Sequence, residues 1–143
     1  MRSLVDDPSH WRRQSRAGLV SLGRAVALLL ILAAALWLPG LTDETRARIL
    51  IPVGCVSILA VPVFTAHGLT LVLAAAMRHR RWGWATLTVL GVLLAVAGFA
   101  AVGWMVWEWV GWIGTALWLA FGGLLALFEF VVYRQQIEDP IED

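Results

Sequence analysis

The stretch Gly103-Trp104-Met105-Val106-Trp107-Glu108-Trp109-Val110-Gly111-Trp112 decides the fold. It carries one charge, and apolar sequence runs away from it on both sides, back to Trp82 and on to Tyr133. One helix over residues 82–133 would be about 78 Å long at about 1.5 Å per residue. That is more than twice the roughly 30 Å hydrocarbon core of a bilayer. The chain therefore has to turn here. Glu108 is the residue that can reach water, so the turn is expected around it. Trp104, Trp107, Trp109 and Trp112 flank the turn. Indole rings collect at membrane interfaces because the body is apolar and the N–H seeks a partner. These four read as interfacial anchors, with an aromatic cage for a ligand as the alternative.

Outward from that turn, the charges mark the remaining organisation. There are none between Arg24 and Asp43, between Arg48 and Arg78, or between Arg81 and Glu108, and the next after Glu108 is Glu129. Four stretches are long and apolar enough to cross a bilayer: about 18–38, 49–77, 82–106 and 110–133. None alternates apolar with polar residues as a barrel strand would. A continuous apolar run in lipid satisfies its backbone only as a helix. The expected fold is all-α, an integral membrane four-helix bundle of antiparallel, up-down topology. A polar segment, 1–17, precedes it, and an acidic tail, 134–143, follows it.

Composition agrees. Of 143 residues, 60% are apolar and 15% charged, against about 45–50% and 25% in a soluble domain. This excludes a disordered chain, a collagen and a disulfide scaffold. The single cysteine, Cys55, has no internal partner. A net charge of +1 gives no global attraction to nucleic acid. The expected surroundings are the lipid bilayer and either partner membrane subunits or further copies of the chain.

Every cation is arginine, as in a GC-rich bacterial genome. Arginine placement sets orientation. Arg2, Arg12, Arg13, Arg16, Arg24, Arg78, Arg80, Arg81 and Arg134 fall on one side, Arg46 and Arg48 on the other. Both termini are thus expected in the cytoplasm of a bacterial inner membrane. A cleaved signal peptide ending at Ala33-Ala34-Ala35 is disfavoured, because the apolar run continues through Leu36, Trp37 and Leu38. The residues after Arg12-Arg13 do not continue a twin-arginine signal.

The segment around His10, Trp11, Arg12, Arg13 and Arg16 reads as a basic flank or as an interfacial helix on an anionic leaflet. Ser9 is the expected cap of its helix. Pro39-Gly40 should stop the first span, and Thr42 should cap the second, with Asp43 and Glu44 on its positive end. Arg78, Arg80 and Arg81 form a basic cluster in a loop so short that spans two and three must be antiparallel neighbours. The tail acids Glu138, Asp139, Glu142 and Asp143 read as solvated, on the same side as that cluster.

Ionisable groups inside a span are costly and point to function. His67 lies ten residues before Met77, about 15 Å into its span, together with Pro62, Thr65 and Thr70. Three roles are open to it. It can be a neutral histidine bonded to a neighbouring helix, a proton-relay or substrate contact, or an axial ligand of haem or a chlorophyll-type pigment. A bis-histidine haem would need a second chain, because His10 and His79 sit at the basic boundary. Glu129 shares a stripe with Gly111, Thr115, Trp118, Gly122, Ala126 and Tyr133, so it is expected to face other helices. It can pair with Arg24, Arg78, Arg80 or Arg81, or couple protons. Arg24, one turn inside the first span, can snorkel to the interface. Gly91-x-x-x-Ala95 and Gly111-x-x-x-Thr115 are small-residue packing motifs.

No phosphate-binding glycine loop, zinc signature or nucleophile elbow occurs, so no catalysis is expected. Small multidrug exporters also have four spans, but they carry a carboxylate in the first, and this chain does not. The first functional expectation is a non-catalytic accessory, assembly or scaffold subunit of a larger membrane complex. The alternatives are a small homo-oligomeric transporter or proton-coupled channel using His67 and Glu129, and a haem- or pigment-binding subunit.

Overall fold

The computed structural model describes residues 8–138. Four helices follow one another: α1 (Pro8–Trp37), α2 (Asp43–Arg78), α3 (Trp82–Val110) and α4 (Trp112–Glu138). All four are long and apolar enough to cross a membrane. The protein is an all-α, up-down four-helix bundle and a multi-pass membrane protein. Both ends of the described chain lie at one pole, where Gln14 of α1 donates to Gln136 of α4 at 2.8 Å. We call this the basic end, because it also carries Arg78, Arg80 and Arg81.

Every helix overruns the apolar stretch expected of it, because polar ends continue the helix past the hydrocarbon. Residues 8–17 are helical and continuous with the first span, not a separate interfacial element. Ser9, expected as the cap, lies within α1. Asp7 and the rest of 1–7 lie outside the described residues. So do Asp139, Glu142 and Asp143 of the tail, while 134–138 continue α4.

The connections are short. Thr42 caps α2 by accepting from the Thr45 N–H at 3.3 Å, with Asp43 and Glu44 in the first turn. Helix α2 is continuous through Pro52 and Pro62. It ends with Arg81 N–H bonded to the Ala76 carbonyl at 2.8 Å, a backbone loop closed by Arg80 at φ 51°. That left-handed position is usually glycine.

The turn between α3 and α4 is not at Glu108 but at Gly111. Glu108 stays within the last turns of α3, where its Oε1 accepts from Trp104 Nε1 at 3.1 Å. A carboxylate near a helix end can reach water without leaving the helix. Gly111 has φ 77° and ψ −159°, backbone that only glycine adopts readily. Gly111 is therefore a hinge between helices and not a packing residue.

The bundle is not a square. Helix α2 is its axis and touches the other three, and α3 also touches α4, but the backbones of α1 and α4 do not meet, nor do those of α1 and α3. On α1, the covered positions repeat every seven residues: Trp11, Gly18, Ala25 and Leu32, with Gln14, Ser21, Leu28 and Ala35. Such a seam of mostly small residues lets two backbones close. At its centre Gly18 faces Gly68. A Cβ on Gly68 would meet the Gly18 carbonyl oxygen at 2.7 Å, and one on Gly18 would meet that of Gly68 at 2.7 Å. Ser21 Oγ donates to the Phe64 carbonyl at 2.9 Å.

The α3–α4 seam is built the other way, from rings against glycines. Trp118 stacks on Phe99 at 4.5 Å between centroids. Its Nε1 donates to the Phe99 carbonyl at 3.1 Å. Gly103 and Gly122 leave room for these rings, since a Cβ on Gly122 would run into Phe99. Gly91 makes room for Leu69 between α2 and α3.

Candidate functional site

His67 on α2 and Glu129 on α4 meet across the bundle. His67 Nδ1 is 3.5 Å from Glu129 Oε2. His67 lies eleven residues before Arg78, about 16 Å from the basic end of α2. Glu129 reaches the same level from only seven residues before Gln136, about 10 Å. The pair thus sits in the half of the span nearer the basic end.

Their environments differ. The Glu129 side chain is 8% exposed and that of His67 38%. Glu129 is held off the surface on α4's covered stripe with Trp118, whereas Ala126, expected on that stripe, is exposed. Phe128 lies 6.5 Å from the His67 ring. At 3.5 Å the contact suits an ion pair but is too long for a well-formed hydrogen bond. Both Glu129 oxygens and His67 Nδ1 are buried with no hydrogen-bond partner. A buried carboxylate left so is costly in either charge state. The two groups can hold one proton between them, as imidazolium with carboxylate or as imidazole with carboxylic acid.

The expected arginine partners of Glu129 are engaged elsewhere. Arg24 lies sixteen residues into α1. Its guanidinium sits over the Phe64 ring at 5.9 Å. The backbones of α1 and α4 do not meet, and α2 is the helix packed against both. Arg78 donates to the Gln136 carbonyl at 3.5 Å, and Arg81 lies 5.7 Å over the Trp11 ring. Arg80 closes the α2–α3 turn. Arg24, His67 and Glu129 are nevertheless all in the membrane interior, on three helices gathered around α2.

Thr65 and Thr70 are half-buried on α2, and among the described residues neither hydroxyl has a hydrogen bond. Trp104, Trp107, Trp109 and Trp112 are all exposed around the Gly111 turn, as ring anchors at an interface require. They do not stack on one another among the described ring pairs. No group of three His, Cys, Asp or Glu side chains able to hold a metal occurs among the described residues.

Sequence reasoning missed two features. Trp11 is buried at the basic end, edge-on to Trp84 at 5.6 Å and against Ala75, Ala76 and Ala85. The seven-residue repeat on α1, which contains Trp11, was the available signal. The Gln14–Gln136 bridge had no signal, because two glutamines in polar flanks look solvated.

No protein-family model matches this chain, and no curated protein or solved structure matches it.

Proposed function

We propose that this protein is a non-catalytic helical subunit that assembles with further membrane helices, through the flank bearing His67. One observation carries the reading: a histidine-carboxylate pair inside the membrane whose histidine is more than a third exposed. Lipid tails offer that imidazole no hydrogen bond, and the hydrocarbon penalises its charged form. A neighbouring helix with a hydroxyl, amide or carbonyl at this level would satisfy it. The long faces of α3 and α4 that no other helix of the chain covers support the same reading. In this reading the basic end faces the cytoplasm of a bacterial inner membrane, supported by nine of the eleven arginines.

The test is isolation of the tagged chain from native membranes in mild detergent, with mass spectrometry and an absorption spectrum. Companion membrane chains should co-purify, and His67→Leu should release them while the protein still folds. A chain that migrates alone, as a monomer, would sink the proposal. A second reading, a proton-coupled homo-oligomer, is favoured by the approach of His67 to Glu129 at 3.5 Å. It expects proton flux in liposomes that Glu129→Gln abolishes.

A further inference from the structure

At the basic end, a cleft of about 260 Å³ opens between α1, α2 and α4. Its cationic and basic groups are Arg13 and His10 from α1 and Arg78 from α2, and among the described residues no carboxylate lines it. Gln14 and Gln136 also line it and bridge α1 to α4. Its remaining lining is apolar, from Ala17 and Leu71. Leu71 lies one turn from His67 and two turns from Arg78 on the same stripe of α2. The backbones of α1 and α4 do not meet, which leaves a furrow between them.

We propose that this cleft seats an anionic phospholipid. Arg13 and Arg78 take the phosphate oxygens, and the acyl chains run over Ala17 and Leu71 into the furrow. Guanidinium groups suit phosphate because their donors match its oxygens in pairs. Among the described residues Arg78 makes one long bond, at 3.5 Å, and a guanidinium has five donors to offer. A soluble phosphate compound would use the arginines and leave the apolar lining bare, whereas a phospholipid matches both. The depth agrees, since arginines at the end of a span lie where headgroup phosphates lie.

The test uses the full chain in neutral detergent, titrated with dioleoyl phosphatidylglycerol and, separately, dioleoyl phosphatidylcholine, with bound lipid counted by native mass spectrometry. One phosphatidylglycerol should bind at least about tenfold more tightly than phosphatidylcholine. The double variant Arg13→Gln/Arg78→Gln should lose that preference. Arg12→Gln/Arg16→Gln removes as much charge from exposed positions on α1 and should keep it within about twofold. Equal losses from the two doubles would mean that bulk positive charge attracts the lipid, and would overturn the site. Ala17→Phe, which fills the apolar side and keeps every charge, should weaken the lipid about tenfold even if the glutamine double does not fold. Unchanged binding in that variant would also overturn it. Competition by glycerol phosphate at the lipid's own concentration would assign the seat to soluble phosphates instead.

Discussion

The two halves of α2 live in different surroundings. From residue 60 to residue 78 every position except Met77 is buried or half-buried, because α1, α3 and α4 all close around it. From residue 43 to residue 59 only a stripe is covered: Arg46, Ile49, Leu50, Val53, Gly54 and Ser57. There α1 is the neighbour and the rest of the surface is exposed. Where the crowding is tightest the residues are small, with Ala74, Ala75 and Ala76 fully buried. The open half tolerates Ile51, Val56, Ile58 and Leu59 on its exposed faces. In a membrane, apolar side chains gain nothing by leaving lipid for protein. Close packing is what separates the two halves. The His67–Glu129 pair stands inside the crowded half, with Glu129 8% and His67 38% exposed.

Three experiments test that contrast, in falling order of effect. Gly68→Leu forces the α1–α2 backbones apart in the crowded half and should cost about 3 kcal/mol, the upper part of the range for overpacking. Thermal unfolding in detergent would read it, and an unchanged midpoint would show that the seam is loose. In the same half, a double-mutant cycle of His67→Leu and Glu129→Leu should give a coupling of about 1 kcal/mol, the scale of polar contacts between membrane helices. A coupling of zero would make the two groups independent neighbours. In the open half, Ser57→Ala removes a buried hydroxyl that has no hydrogen-bond partner. It should be neutral or stabilise by up to about 0.5 kcal/mol, and a clear loss of stability would reveal a partner on that face.

Four spans are legible in the sequence because charge avoids hydrocarbon, and this chain's charges fall only at span ends and at a few interior points. The lateral order of the helices is not legible. Lipid and helix are equally apolar, so hydropathy is silent on whether α1 lies beside α4. That is why Glu129 reads from sequence as an arginine partner: charge alone selects the strongest cation, while the fold packs α2, not α1, against α4. Both members of the pair stand out individually as ionisable residues in apolar runs. Their meeting depends on how α4 is turned against α2, which no local pattern encodes. The Gly111 turn was half legible. Its neighbourhood follows from length, but its position depends on backbone that only glycine accepts, whereas the charge at Glu108 drew attention one turn earlier.

That one-residue turn bears on how the protein enters its membrane. With Gly111 alone between α3 and α4, no hydrophilic loop has to be carried across the bilayer at that pole. The only charge between Arg81 and Glu129 is Glu108, and an indole N–H already accompanies it. The two helices can cross together as one hairpin, moving a single carboxylate and a ring of tryptophans that halt at the far interface. The link is also too short to expose a cleavable or modifiable segment, so from the far side this half of the protein presents aromatic rings and almost no peptide backbone.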